Sequence, residues 1–146
     1  MKACVVDASV VAAAFFQEEQ AESAQALLAG KRVLHAPDLI LAEVANVIWK
    51  RCGRGEISED EACQMMDDVL RLPLRITPCA NLVEAALELA IRTRRTVYDC
   101  LYLALAVRAR SVMYTSDKRL ANALADGPLN KCVAWIGALD ENHGRA

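Results

Sequence analysis

The stretch Val97-Tyr98-Asp99-Cys100-Leu101-Tyr102-Leu103-Ala104-Leu105-Ala106 is apolar around almost its whole helical wheel. Such a segment is typical of a helix that is buried on most of its faces. Its one carboxylate, Asp99, lies on the same helical face as Tyr102 and Ala106. Burying an ionised carboxylate is costly unless it is paired, hydrogen-bonded or bound to a metal ion. Asp99 is therefore either the acid of a Thr96-x-x-Asp99 capping box or part of a polar site inside the fold.

The alternation of short apolar strands with helical patterns predicts the fold class. Strands are expected over residues 2–6, 33–36, 74–77, 112–115 and 132–136. Helices are expected between them over 10–29 with a break near Gln17, 37–51, 58–72, 81–94, 96–110 and 118–124. This order predicts an α/β three-layer αβα sandwich with a central, mostly parallel sheet and helices on both faces.

Apolar stripes along the helices predict which residues face the core. In the helix over 58–72 the inward residues are expected to be Met65, Met66, Val69 and Leu70. In the helix over 81–94 they are expected to be Leu82, Ala85, Ala86, Leu89 and Ala90. Trp49 points away from the core stripe of its own helix, which indicates either a partner surface or an ordinary exposed aromatic.

The size and composition of the chain restrict its class. Its 146 residues, 55% of them hydrophobic and 25% charged, predict one domain over 1–146 with a frayed tail at 140–146. No apolar run reaches the roughly 18 residues of a membrane span, and Asp7 interrupts the first run too early for a secretory signal. Six cysteines without a C-x-x-C pair favour reduced thiols in the cytoplasm over disulfides or zinc. The net charge of −2 argues against a general nucleic-acid coat.

Three further acids lie at the edges of apolar elements. Asp7 follows the first strand, Asp117 follows the strand over 112–115, and Glu43 projects from the apolar stripe of its helix. Each has an ordinary alternative, because the aspartates can cap the next helix and Glu43 can reach water beside Lys50. The carboxyl ends of parallel strands meet at one edge of a sheet, so we expect these acids and Asp99 to converge there.

Four carboxylates in one pocket repel one another, at about 4 kcal/mol for a pair ~4 Å apart at an effective dielectric constant of ~20. Divalent cations remove that cost, and all-oxygen ligands favour Mg²⁺ or Mn²⁺. One or two such ions can deprotonate a water and stabilise the leaving oxygen of a phosphodiester. Basic residues flank the acids in sequence, either as a phosphate-binding rim or as a solvated surface; they are Lys50, Arg51, Arg54, Arg92, Arg94, Arg95, Lys118 and Arg119.

Four fragments carry a family resemblance: Asp7-Ala8-Ser9, Glu43-Val44-Ala45-Asn46, Tyr98-Asp99-Cys100-Leu101-Tyr102-Leu103-Ala104 and Thr115-Ser116-Asp117. In this order the chain resembles the PIN-domain family, specifically the VapC-type ribonuclease toxins of bacterial type II toxin–antitoxin systems. Cys100 replaces an alanine often found there and is of similar size. The resemblance implies that the acidic metal-binding and catalytic residues are Asp7, Glu43, Asp99 and Asp117, supported by Ser9, Asn46 and Thr115.

The same resemblance implies the activity and the partners. They are Mg²⁺- or Mn²⁺-dependent cleavage of RNA, a homodimer, and a cognate antitoxin that blocks the acidic pocket. Contact with operator DNA is expected only through the antitoxin. A phosphatase of the haloacid dehalogenase type is disfavoured, because Ser9 stands where that chemistry needs a second aspartate. A non-catalytic PIN-like module that binds RNA or a protein remains the alternative, although none of the four acids is missing.

Overall fold

The computed structural model describes residues 2–139, so the predicted frayed tail lies outside the described residues. Its sheet has five strands in the order β3-β2-β1-β4-β5, and every neighbouring pair is parallel. The strands are β1 (Ala3–Val6), β2 (Val33–Pro37), β3 (Leu74–Thr77), β4 (Val112–Thr115) and β5 (Val133–Trp135). The predicted α/β class with a parallel sheet is confirmed.

Helices connect the strands and cover the sheet. They are α1 (Ala8–Phe15), α2 (Ala21–Ala29), α3 (Leu39–Gly53), α4 (Glu59–Leu70), α5 (Val83–Thr93), α6 (Val97–Arg108) and α7 (Lys118–Leu124). Helices α1 and α3 pack together, and so do α5 and α6. The predicted break in the first helical segment is confirmed, because Gln17 between α1 and α2 adopts a left-handed backbone with φ 52°.

The strand order places a crevice at the carboxyl ends of β1 and β4. The chain leaves β1 toward β2 and β3 on one side, and later adds β4 and β5 on the other side. Strand β1 pairs with β4 through the register Val6↔Tyr114, and the Asp7 N–H donates to the Tyr114 carbonyl at 3.2 Å. In open parallel sheets ligands bind outside the carboxyl ends of the strands where the order reverses. Here that position lies between Asp7 and the end of β4.

Helix α6 is the buried centre of one layer, as its all-round apolar sequence predicts. Every residue from Cys100 to Ala106 is buried, and the helix packs on β1, β2, β4 and α5. Each fully buried leucine stabilises the fold by roughly 1.5–3 kcal/mol. The helix begins after Thr96, whose Oγ accepts from the Asp99 N–H at 3.1 Å.

Two helices expose apolar residues that the sequence pattern placed in the core. In α4 only Val69 is buried, whereas Leu70 is 58% exposed and the methionines are partly buried. Of the residues predicted to face inward over 81–94, Leu82 and Ala86 are buried and Leu89 and Ala90 are partly buried against the core, whereas Ala85 is exposed. The outer face of α5 instead carries three exposed residues at i, i+4 and i+8, which we call the α5 stripe: Val83, Leu87 and Ile91.

Smaller features also bear on the sequence analysis. Pro37 was expected to open α3, but it is the last residue of β2. The six cysteines are free thiols, as predicted. Trp49 is 68% exposed, as its position on the helical wheel predicts. Within residues 2–139 there is no helix with the length and apolar character that a membrane crossing requires.

Candidate active site

Asp7 caps α1 and is buried at the carboxyl end of β1. Its Oδ1 accepts from the Val10 N–H at 3.2 Å and from the Ser9 hydroxyl, and only 7% of the residue is exposed. Burial raises the pKa of Asp7 to about 6, although the hydrogen bonds from Ser9, Thr115 and Val10 oppose the shift. The two explanations of Asp7 therefore hold together, because one carboxylate caps the helix and lines the crevice.

Ser9 connects the ends of β1 and β4. Its Oγ lies 3.2 Å from Thr115 Oγ1 and accepts from the Ser116 N–H at 2.9 Å, while its carbonyl accepts from the Ser116 hydroxyl at 3.2 Å. Thr115 is fully buried, and its Oγ1 accepts from the Asp117 N–H at 3.0 Å. The structure thus brings both predicted supporting hydroxyls, Ser9 and Thr115, into one network with Asp7.

Glu43 on α3 is hydrogen-bonded across the crevice to α6. The Tyr102 hydroxyl donates to Glu43 Oε1 at 2.6 Å. Partial burial raises the pKa of Glu43, the bond from Tyr102 lowers it, and the negative charge of Asp99 raises it. The pKa of Tyr102 is raised by burial and by Glu43, so the phenol stays protonated as a donor. Glu43 is therefore held in place rather than extended into water beside Lys50.

Asp99 lies in the first turn of α6 and is half-buried. Its backbone N–H is capped by Thr96, but among the described residues its carboxylate does not complete the box as Glu61 does at Ser58. Burial raises the pKa of Asp99, Arg95 and the Thr96 hydroxyl lower it, and the charge of Asp117 raises it. The backbone cap and a carboxylate that faces other acids are thus compatible.

Asp117 is an exposed N-cap. Its Oδ1 accepts from the Arg119 N–H at 3.0 Å and from the Leu120 N–H at 3.3 Å, which satisfies the first turn of α7. The hydrogen bonds of Asp117 are therefore those of an ordinary helix cap. Its charge nevertheless raises the pKa of Asp99, so the two carboxylates are close enough to interact.

The four predicted acids are linked by their electric fields. The charge of Glu43 raises the pKa of Asp7, that of Asp99 raises the pKa of Glu43, and that of Asp117 raises the pKa of Asp99. Within residues 2–139, however, no three His, Cys, Asp or Glu side chains stand close enough together to form a metal-binding group. The acids influence one another in pairs without a closed ligand shell, and their role as metal ligands stays a prediction.

The donor set is chemically suited to a hard divalent cation. Asp7, Ser9, Thr115 and Glu43 offer carboxylate or hydroxyl oxygens, the ligands that Mg²⁺ and Mn²⁺ prefer. A cation also stabilises the ionised form of carboxyl groups whose pKa is raised. A cavity of about 280 Å³ opens beside Ser9 and Glu43, and the third predicted supporting residue, Asn46, lines it.

Sequence reasoning missed three contributors to this crevice. Tyr102 shares a helical face with Asp99, which was a usable signal, but its bond to Glu43 joins residues 59 positions apart. Ser116 holds Ser9 through its backbone, which no side-chain pattern reveals. Arg95 was grouped with the basic rim, yet its charge lowers the pKa of Asp99.

The predicted basic rim is divided in the structure. Arg51 serves the fold, because it pairs with Glu18 at 2.8 Å and Glu56 at 3.1 Å and lies over the Phe16 ring. Lys118 lies over Trp135 beside the crevice, with its Nζ 4.6 Å from the ring centroid. Phosphate binding by the other basic residues stays a prediction.

Comparison with known proteins identifies the class of this fold and site. The family model described as the PIN domain matches residues 4–124, which include all four acids. The chain therefore belongs to the PIN-domain family. Within the family it is similar to Ribonuclease VapC3 of Pyrobaculum aerophilum, with 38% identity over 119 residues that span 80% of this chain and 91% of the relative. The predicted resemblance to VapC-type proteins is confirmed.

Solved structures confirm the fold. The crystal structure of VapC20 from Mycobacterium tuberculosis, described as a sarcin-ricin loop cleaving toxin, superposes with a TM-score of 0.63 at 20% identity. That match covers 82% of this chain and 94% of VapC20. VapBC2 from Rickettsia felis, solved with a DNA fragment from its promoter, superposes with a TM-score of 0.58 at 14% identity, over 91% of this chain and 98% of that one.

Proposed function

We propose that this protein is an endoribonuclease toxin that requires Mg²⁺ or Mn²⁺ and is inhibited by a cognate antitoxin. The observation that carries the proposal is the crevice at the carboxyl ends of β1 and β4, where burial and mutual repulsion raise the pKa of Asp7, Glu43 and Asp99. Clusters of shifted carboxyl groups in a cleft mark functional sites. The names of the VapC relatives support RNA as the substrate.

The residues of the chain would divide the chemistry as follows. Asp7, Glu43, Asp99 and Asp117 would hold one or two divalent cations. When bound, such an ion supplies a deprotonated water and neutralises charge on the phosphodiester. Tyr102 orients Glu43 through its 2.6 Å bond, which fixes one carboxylate before RNA arrives.

Hydroxyl groups at the sheet edge hold the other side of the site. Ser9 and Thr115 keep Asp7 in one rotamer through the network that joins β1 to β4. Asn46 lines the adjoining cavity, where its amide could hydrogen-bond a phosphate oxygen. These neutral groups would hold Asp7 and contact the substrate without adding negative charge to a site that already repels phosphate.

The proposed partners need surfaces outside the crevice. The exposed α5 stripe supports a homodimer, because three large apolar residues at helical spacing are costly to leave in water. Trp49, on α3, is proposed as a second anchor for the partner copy or the antitoxin. The promoter complex of VapBC2 supports DNA binding by a toxin–antitoxin complex, and we propose that this chain contacts DNA only through its antitoxin. We propose that the protein acts in the cytoplasm, where its RNA substrate and its antitoxin would be present.

Cleavage of a mixed RNA pool with Mn²⁺, with and without chelator, tests the activity. Wild type and the matched control Asp67→Asn, an exposed acid of α4, should both cleave. Asp99→Asn should remain folded by circular dichroism and lose metal-dependent cleavage. Folded Asp99→Asn with full activity would reject the assignment of this residue, and wild type without cleavage in any metal would favour the non-catalytic PIN-like module instead.

A further inference from the structure

A second cavity is lined by Ser116, the residue whose backbone binds Ser9. It measures about 280 Å³ and is lined by Ala13, Glu18, Glu19, Gln20, Ser116, Lys118 and Trp135. Ser116 directly precedes Asp117, and its N–H donates to the Ser9 Oγ that also binds Asp7. The cavity is therefore two hydrogen bonds away from the buried aspartate. Its volume is near the lower end of small-ligand pockets, which begin at about 300 Å³, and suits one planar base.

Trp135 forms a fixed aromatic wall of this cavity. It is paired with Thr115 in the β4–β5 register, so the indole stands at the same sheet edge as the acids. The backbone of Gly137 packs against its six-membered ring so closely that a Cβ there would lie 2.2 Å from Trp135 Cη2. The Lys118 ammonium lies over the ring, 4.6 Å from the centroid. A rigid indole beside an exposed, movable cation is the pairing that binds unstacked bases and their phosphates.

Another part of the lining, the acidic wall, carries the acceptors of Glu18, Glu19 and Gln20. Glu18 is partly engaged by Arg51 at 2.8 Å, whereas Glu19 makes no hydrogen bond or ion pair with any residue in the range 2–139. A phosphate would be repelled by these carboxylates, so the interior suits a base rather than the backbone. The edges of guanine, adenine and cytosine carry amino groups that donate to carboxylate and amide oxygens. Uracil has no exocyclic amino group and can donate only from its N3–H, so this wall favours it less than the other bases.

We propose that this cavity, which we call the indole pocket, binds one unstacked base of single-stranded RNA next to the scissile phosphate. The proposal rests on the ribonuclease function proposed above and assigns the residues that select the cleavage position. The base stacks on Trp135 in the place that Lys118 now covers, and the Lys118 ammonium turns to the adjoining phosphate. Glu19 accepts from the amino group of the base. Trp135 and Lys118 are then substrate-binding residues, and neither of them holds the metal.

Tryptophan fluorescence tests binding without cleavage. Trp49 and Trp135 are the two tryptophans of the chain, so Trp49→Phe leaves Trp135 as the only emitter. Tetraribonucleotides of A, C or U are titrated in Mg²⁺ into this variant carrying also Asp99→Asn, which is expected to lose cleavage. We expect the A and C tetranucleotides to quench Trp135 emission at lower concentrations than the U tetranucleotide. Lys118→Ala should raise the concentration needed for half-maximal quenching about tenfold. The reciprocal variant Trp135→Phe, which reports only Trp49, should show no quenching.

Cleavage kinetics supply the second measurement. Lys118→Ala should raise KM about tenfold with kcat within about twofold, and Glu19→Gln should redistribute the cut sites toward uracil at the pocket position. Lys131→Ala, an exposed lysine before the opposite end of β5, is the matched control. Because Lys118 is exposed, its variant tests the pocket even if Trp135→Phe does not fold.

The outcomes separate the two proposals. If wild type cleaves RNA but Trp135 emission ignores all three tetranucleotides, and Lys118→Ala cuts the same sites with unchanged KM, the indole pocket is rejected while the ribonuclease stands. If wild type does not cleave RNA in any metal, the ribonuclease proposal fails first. Equal responses to A, C and U would reject the acidic wall as the reader of the base.

Discussion

Asp7 and Asp117 occupy equivalent places in the fold but different environments. Each follows a buried parallel strand, and each caps the next helix with its Oδ1. Asp7 is buried and also accepts a hydrogen bond from the Ser9 hydroxyl, whereas Asp117 is exposed. β1 is the central strand, with two strands on each side, whereas β4 has only the edge strand β5 beyond it. The comparison teaches that a strand–aspartate–helix pattern defines a cap, and that the surroundings of the cap decide whether its carboxyl group is also buried with a raised pKa.

The largest expected difference between the two aspartates is in cleavage. Asp7→Asn should lower kcat of RNA cleavage at least about 100-fold, since it removes a charge from the deepest part of the crevice. Asp117→Asn should lower it about tenfold or less, because asparagine keeps the cap and solvent can replace one exposed oxygen. Both rates are measured with Mn²⁺ on one RNA. Equal losses of kcat in the two variants would show that the burial of an acid does not determine its importance for cleavage.

The second difference concerns stability and pH. The folded-state pKa of Asp7 is about 6 and its ordinary value is 3.8. Between these values the folded protein keeps a proton that the unfolded chain has lost. The stability that the protonated Asp7 carboxyl contributes is therefore present below about pH 4 and is lost as the pH rises through 6. The loss is on the order of 3 kcal/mol, at about 1.4 kcal/mol per pKa unit.

Urea unfolding at pH 4 and pH 7 in chelator measures this loss. The free energy of unfolding of wild type should fall over this interval, and that of Asp7→Asn should fall less. Mn²⁺ at a hundredfold excess over its Kd should restore about 2.7 kcal/mol to wild type at pH 7, and less to Asp99→Asn. A wild type whose stability ignores both pH and Mn²⁺ would mean that these acids do not form one site.

Ser9 connects the ends of β1 and β4, so its removal should disturb the surroundings that set Asp7 apart from Asp117. Ser9→Ala takes a donor from Asp7 and an acceptor from the Ser116 N–H, which should cost about 1–3 kcal/mol of unfolding free energy. The pKa of Asp7 should rise further, because the Ser9 bond opposes the effect of burial. Thermal melts and the pH profile of cleavage test this. Ser58→Ala, at the capping box of α4, should cost about 1 kcal/mol and leave the pH profile unchanged.

The smallest effect is expected far from both strand ends. Trp49→Ala should weaken association with a second copy or the antitoxin by about 1 kcal/mol, because it removes an exposed indole. The ratio of Asp7 to Asp117 effects on cleavage should stay the same in this background. Sedimentation and antitoxin titration measure the association. Values equal to wild type would make Trp49 an ordinary exposed aromatic.

Much of the fold was predictable because its strands and caps are local patterns. The all-round apolar sequence of α6 predicted a buried helix, and Ser58 with Glu61 predicted the start of α4. The α5 stripe was not predictable, because hydrophobic periodicity shows an apolar face without showing whether the protein or a partner covers it. Alanines such as Ala85 add little to either face, which left the core side of α5 ambiguous.

The candidate site was predictable only in part, for a related reason. Asp7 and Asp117 follow strands, so the topology alone places them at one edge. The contact between Glu43 and Tyr102 depends on how α3 and α6 are set on the sheet, which no spacing reveals. The depth of each acid has the same origin, since the sequence does not show which strand becomes central.

The pairing of β1 with both β2 and β4 has a consequence for biosynthesis. Residues 4–6 must wait for residues 112–114 before their second side is paired, so the centre of the sheet closes late in translation. Asp7 leaves the ribosome early, but its partner Thr115 follows more than a hundred residues later. A chain that stalls or is cut before β4 has no assembled crevice, so an interrupted synthesis of this nuclease would release fragments harmless to the RNA of the cell that makes them.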